Sequence, residues 1–126
     1  MGIMKKIVID GQEVAFRASA AIPRIYRVKF HRDIYKDLRA LEKAVGDSSE
    51  QESNLDMFSL EMFENIAYVM AWQGEDAHHR ERMADFPKTP GDWLDQFEMF
   101  SVYEHLDTIM NLMLGDRMTL VKEKNL

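Results

Sequence analysis

His78 and His79 stand among Glu75, Asp76 and Glu81, the one stretch of this sequence whose residue types suggest a metal site. A helix offers a metal converging ligands when they lie three or four positions apart, whereas neighbouring residues point about 100° away from each other. The two imidazoles therefore diverge, while Asp76 and Arg80 have the spacing of an ordinary helical ion pair. These residues read as a solvated, charged connector, and no metal or other cofactor is expected. His31 and His105 fall in separate segments with no nucleophile pattern beside them. Spacing supports no Ser-His-Asp arrangement, glycine-rich phosphate loop or pair of catalytic carboxylates. The chain has no cysteine, which removes thiolate nucleophiles, cysteine-ligated zinc and disulfides, and suits a reducing cytoplasm. These residues predict a protein that acts by contact and is not an enzyme.

The elements that must present any contact surface are organised around residues 53–74. Leu55, Phe58, Met62, Ile66, Val69 and Met70 recur at three- and four-residue intervals, which predicts an α-helix. Phe63, Ala67, Tyr68 and Trp72 widen its apolar surface beyond one stripe, as expected of a helix contacted from two sides. Ser53 or Asn54 would cap its start, and Gly74 would end it in a left-handed conformation.

Ahead of this helix, Ile7 and Ile9 alternate with Val8 and Asp10, and Val14 and Phe16 with Ala15 and Arg17, around Asp10-Gly11. That pattern predicts a β-hairpin over 5–17 with a two-residue turn. The next segment turns helical near Ser19, a possible cap, with Pro23 in the first turn. Phe30, Ile34, Leu38, Leu41 and Val45 continue an apolar stripe to Gly46, so one amphipathic helix is expected there, followed by a polar loop over 47–53. After the connector, Thr89, Pro90 and Asp92 have the types and spacing of a capped helix start, with Trp93, Leu94 and Phe97 as its buried side. Ser101 and Glu104 suggest a second capping box. It opens a final helix with Val102, Leu106, Ile109, Met110 and Met113 inward and Gly115 at its end. The fold class expected is mainly α: one domain over 1–126, with a small helical bundle over 19–115, the N-terminal hairpin, and a tail over 116–126.

The net charge of −6 is unevenly distributed. Residues 17–43 carry eight basic and three acidic side chains, and residues 44–116 carry three basic and sixteen acidic ones. The two regions complement one another either within one molecule, the simpler reading, or head to tail between copies. Asp33, Asp37 and Glu42 interrupt the basic helix, which argues against a nucleic-acid or membrane-surface role. No apolar run reaches eighteen residues, and no charged-then-apolar leader opens the sequence.

Four segments in order carry a resemblance: Ile9-Asp10-Gly11 in the hairpin, Ala21-Ile22-Pro23-Arg24-Ile25-Tyr26-Arg27, the run Ile66 to Ala71, and Trp93 to Phe97. Together, over roughly residues 5–115, the chain resembles the tail assembly chaperones of long-tailed phages and prophages of Gram-positive bacteria. The resemblance implies no catalytic residues. It implies binding to the tape-measure protein and keeping that client's apolar helices soluble, possible contact with the tail tube protein, a place in the host cytoplasm and absence from the finished virion. Residues 75–85 and the C-terminal tail have no counterpart in it. Methionine is flexible and polarisable, so Met57, Met62, Met99, Met110 and Met113 are the candidate partner-binding residues for an apolar helical client. A helical adaptor or regulatory module with a different partner is the alternative, and a small metal- or ligand-binding bundle a third. Self-association is also expected. The exposed hairpin edge, the charge asymmetry and a methionine and aromatic content beyond the needs of one core all favour a homo-oligomer.

Overall fold

The computed structural model describes residues 3–47, 57–78 and 84–114. The expected caps Ser53 and Asn54, the loop over 48–53, Leu55, the connector over 79–83, Gly115 and the tail lie outside the described residues, as do the side chains of Val45, Met57 and Phe58. Strands β1 (Ile3–Ile9) and β2 (Gln12–Ala18) form a two-stranded antiparallel sheet, with Ile9 opposite Gln12 and Ile3 opposite Ala18. The helices are α1 (Ile22–Phe30), α2 (Ile34–Asp47), α3 (Met57–His78), α4 (Pro90–Leu94) and α5 (106–114). The chain is thus a small, mainly helical protein with an N-terminal hairpin.

Asp10 and Gly11 both have positive φ, 53° and 77°, the conformation that a type I′ turn demands and that this pair of residue types tolerates. Ile7, Ile9 and Phe16 are carried on one side of the hairpin into the core. With Ile9 and Gln12 closing the turn, Lys6 and Ala15 form a non-hydrogen-bonded pair whose backbone groups point away from the hairpin. On the β2 side that edge is covered by α3. A Cβ placed on Gly74 would lie 1.9 Å from the Ala15 carbonyl oxygen, a backbone-to-backbone approach that only glycine permits. Gly74 therefore does not end the helix, as its type suggested; α3 runs through it to His78 because the residue serves close packing rather than termination.

The central helix is buried all round over its middle: Met62, Phe63 and every residue from Ile66 to Ala71 belong to the core. Tyr26, Ile34, Leu38 and Leu41 cover it from α1 and α2, Phe16 from the hairpin, and Ile109 and Met110 from α5. The Lys29 ammonium sits 5.5 Å from the Tyr68 ring centroid and 5.8 Å from that of Trp72, adding a cation–π contact between α1 and α3. Trp93 is a core residue that joins three elements edge-to-face, with ring centroids 6.1 Å from Phe16, 6.4 Å from Tyr68 and 5.4 Å from Phe97.

The single helix expected from Ser19 to Gly46 is two. His31 adopts a left-handed conformation at φ 56° and its N–H donates to the Arg27 carbonyl, which closes α1. Asp33 then accepts from the Tyr35 N–H at 2.9 Å and opens α2. Ser19 is not the helix cap either: the cap position is Ala21, and the Ser19 hydroxyl accepts from the Ala21 N–H at 3.3 Å. At α4 the expectation holds, with Thr89 extended and its Oγ1 accepting from the Asp92 N–H at 3.1 Å, but the helix lasts just five residues. Ser101 forms no capping box. A 3₁₀ turn over Tyr103–His105 leads into α5 without a side-chain cap, since the Ser101 hydroxyl is engaged elsewhere.

Candidate functional site

Ser101 is engaged by Asp10, and that contact organises the most exposed large apolar residues among the described ones. The Asp10 carboxylate, at the hairpin turn, accepts from the Ser101 hydroxyl through Oδ1 at 2.5 Å and from the Glu98 N–H through Oδ2 at 2.8 Å. The Ser101 hydroxyl and then the Glu98 amide hold the Asp10 carboxyl below its usual range, because both stabilise the charged form. These two donors flank Met99 and Phe100, which are therefore pinned on both sides and stand 78% and 68% exposed. A large apolar pair held out by its own clamp is a feature of contact surfaces rather than of folding, since it costs hydration and gains no packing in the free molecule.

The residues just before this tip line a cavity of about 330 Å³ between β2, the C-terminal half of α3, residues 85–87 and α4. Ala71, Phe86, Trp93 and Phe97 provide its apolar lining. Glu13, Glu75 and Asp85 provide carboxylates. Its wall is braced by the Tyr68 hydroxyl, which donates to the Pro87 carbonyl at 2.6 Å; burial pushes the Tyr68 hydroxyl pKa up, with Asp92 adding to the effect. A recess with aromatic walls and acidic edges, followed in the chain by Met99 and Phe100, suits an apolar segment that also bears basic residues.

A second recess, of about 450 Å³, lies where α1 ends and α2 begins, with Arg27, His31, Arg32 and Asp33 among its lining residues. Its wall is set by Asp37, which is buried at 2% exposure yet fully provided with donors. The Tyr26 hydroxyl donates to Oδ2 at 2.6 Å, and Arg32 donates to both oxygens at 2.8 and 2.7 Å. Burial pushes the Asp37 carboxyl up, but the Arg32 guanidinium and the Tyr26 hydroxyl outweigh it and hold the group below its ordinary value. Tyr26 in turn is pushed well above the usual phenol range, by burial first and by the adjacent carboxylate next.

Of the five methionines, the four described are not gathered into one groove. Met62 and Met110 are core, Met113 is half-buried against the core, Met99 is exposed at the tip, and the side chain of Met57 lies outside the described residues. Phe100, beside Met99, had no role in the sequence reading; an apolar pair between two polar residues gives no signal that its flanks are tied to a turn 88 and 91 positions away. On α5, Tyr103 donates to Glu64 of α3, and burial followed by that carboxylate raises its pKa to about 12. Among the described residues no three histidine or carboxylate side chains cluster as metal ligands, and no helix is long and apolar enough to cross a membrane. Comparison with known protein families, curated proteins and solved structures returns no match to this chain.

Proposed function

We propose that the chain is a tail assembly chaperone of the phage type, a non-catalytic binder that keeps apolar helices of the tape-measure protein soluble while the tail tube assembles around them. The observation that carries this reading is the exposed Met99–Phe100 pair, clamped by Asp10 and following in the chain an acid-edged recess with aromatic walls. The four segments in which the sequence resembles that family add to it. In this reading the helices form a small bundle about α3, the protein works in the host cytoplasm and is left out of the virion, and its client contact is apolar with basic flanks.

Co-expression tests it. A tape-measure fragment that is insoluble alone should stay soluble and co-purify with the wild-type chain, and Phe100→Asp should abolish this while leaving the chaperone folded. A fragment whose solubility is indifferent to the chain would remove the reading, and an adaptor for a different partner would take its place.

A further inference from the structure

The recess bounded by β2, α3, residues 85–87 and α4 carries charge of one sign. Glu13, Glu75 and Asp85 line it, its other polar side chains are those of Gln12 and Gln96, and no basic side chain is among its described lining residues. Glu13 shares the Lys6 ammonium at a loose 3.5 Å across a well-exposed pair, and Asp85 is exposed and without a cationic partner among the described residues. The Gln96 amide donates to the Trp93 carbonyl at 3.0 Å, so its own oxygen remains as an acceptor. The aromatic walls between these groups are held by the core. Phe86 packs on Tyr68 with ring centroids 5.9 Å apart, and Phe97 packs on Trp93, itself fixed edge-to-face by Phe16 and Tyr68. Phe86 and Phe97 are both half-buried and both line the recess.

Aromatic faces and carboxylates both attract cations, and the two together favour a cation flat enough to stack and rich in N–H donors. A guanidinium meets both conditions, whereas an ammonium is compact and more strongly hydrated. A volume of about 330 Å³ is at the small end of ligand pockets, the scale of one side chain. We propose that this recess is an arginine site, taking the guanidinium of one arginine side chain from a bound protein segment against the Phe86 and Phe97 rings, with its N–H groups on Asp85 and Glu13. Free arginine fits less well, because its α-carboxylate would face the same acids. The proposal deepens the reading above by naming the basic element of the client, and rests on that reading only for where the arginine comes from.

Two-dimensional NMR titration of the full chain with N-acetyl-arginine methylamide tests the site without a client. Amide signals of residues 12–15, 85–87 and 93–97 should shift and saturate. The citrulline analogue, of like shape but neutral, should leave them in place, and the lysine analogue and free arginine should bind more weakly. Asp85→Asn combined with Glu13→Gln, two conservative changes at exposed positions, should weaken binding about tenfold. Phe86→Leu should weaken it about threefold. Spectra that stay native elsewhere show that the variants fold. The absence of a saturable shift, citrulline or free arginine binding as tightly as the blocked arginine, or either variant binding like wild type would overturn the proposal. Such a failure with co-expression still rescuing the client leaves the proposed function standing without its arginine. A positive titration with an indifferent client keeps the site and removes the function.

Discussion

Two aspartates, Asp37 and Asp10, each tie separate segments together by accepting several hydrogen bonds, and they differ in where the tie lies. Asp37 is buried at the α1–α2 joint and takes three donor contacts from Tyr26 and Arg32. Asp10 sits on the surface of the hairpin turn and takes two, from Glu98 and Ser101. A buried carboxylate is an obligation: the Tyr26 hydroxyl, itself buried, has no water to turn to if it is removed. Asp10 is exposed, and so is Glu98, whose N–H rehydrates at little cost, which leaves the buried Ser101 hydroxyl as the one donor to be satisfied anew. The first therefore holds the fold, and the second holds the pose of Met99 and Phe100.

The largest expected effect separating the two is Asp37→Ala. It strands the buried Tyr26 hydroxyl and half-exposed Arg32, and should cost about 3 kcal/mol, lowering the melting temperature by on the order of 10 °C. Calorimetry on the purified variant measures this, and a melting curve like that of wild type would mean the joint tolerates an empty carboxylate site. Next in size is the acid response. Because the folded Asp37 carboxyl is held below the ordinary 3.8, the unfolded chain takes up its proton first. Its stabilisation is therefore complete above that value and is lost as pH falls through the lower folded value. Urea titrations at stepped pH should show wild type converging on Asp37→Asn in that acid window, and parallel curves would contradict the assignment. The smallest effect on stability belongs to Asp10→Gly, which keeps a turn that accepts positive φ and removes both bonds to the tip. Global stability should change by less than about 1 kcal/mol, while limited proteolysis with a protease selective for aromatic residues should speed up at Phe100. An unchanged cleavage rate would show that the tip needs no clamp.

What the sequence disclosed follows from the range over which each signal acts. Asp10-Gly11, Thr89-Pro90 and the apolar stripe of 62–70 act within a few residues, and each is found where local chemistry puts it. Gly74 was misjudged because glycine serves both a left-handed helix end and a close backbone approach, and the Ala15 carbonyl that decides between them lies far off in the chain. Ser101 was misjudged for the same reason: a serine three residues before a glutamate caps a helix unless a carboxylate from elsewhere claims its hydroxyl. The break at His31 is subtler. The stripe continues across it, because Phe30 and Ile34 both pack against the core, and apolar periodicity does not record that the backbone between them has changed hand. The candidate site was the least legible part, since methionines at helical spacing turn out to be core wherever the helix is central, and the exposed pair lies in the loop between α4 and α5.

The contact of Ala15 with Gly74 also bears on how fast the chain reaches its native state. A hairpin with a favourable turn forms in about 1–10 μs, but two strands in water are marginal until something covers them. Here the cover is α3, and reaching it means closing a loop of roughly sixty residues, an entropic cost met before any docking contact is gained. Refolding of this mostly helical protein should thus be paced by its hairpin, not by helix growth. Stopped-flow measurements on Gly74→Ala should find refolding slowed more than unfolding is accelerated, and the reverse would place hairpin docking after the rate-limiting barrier.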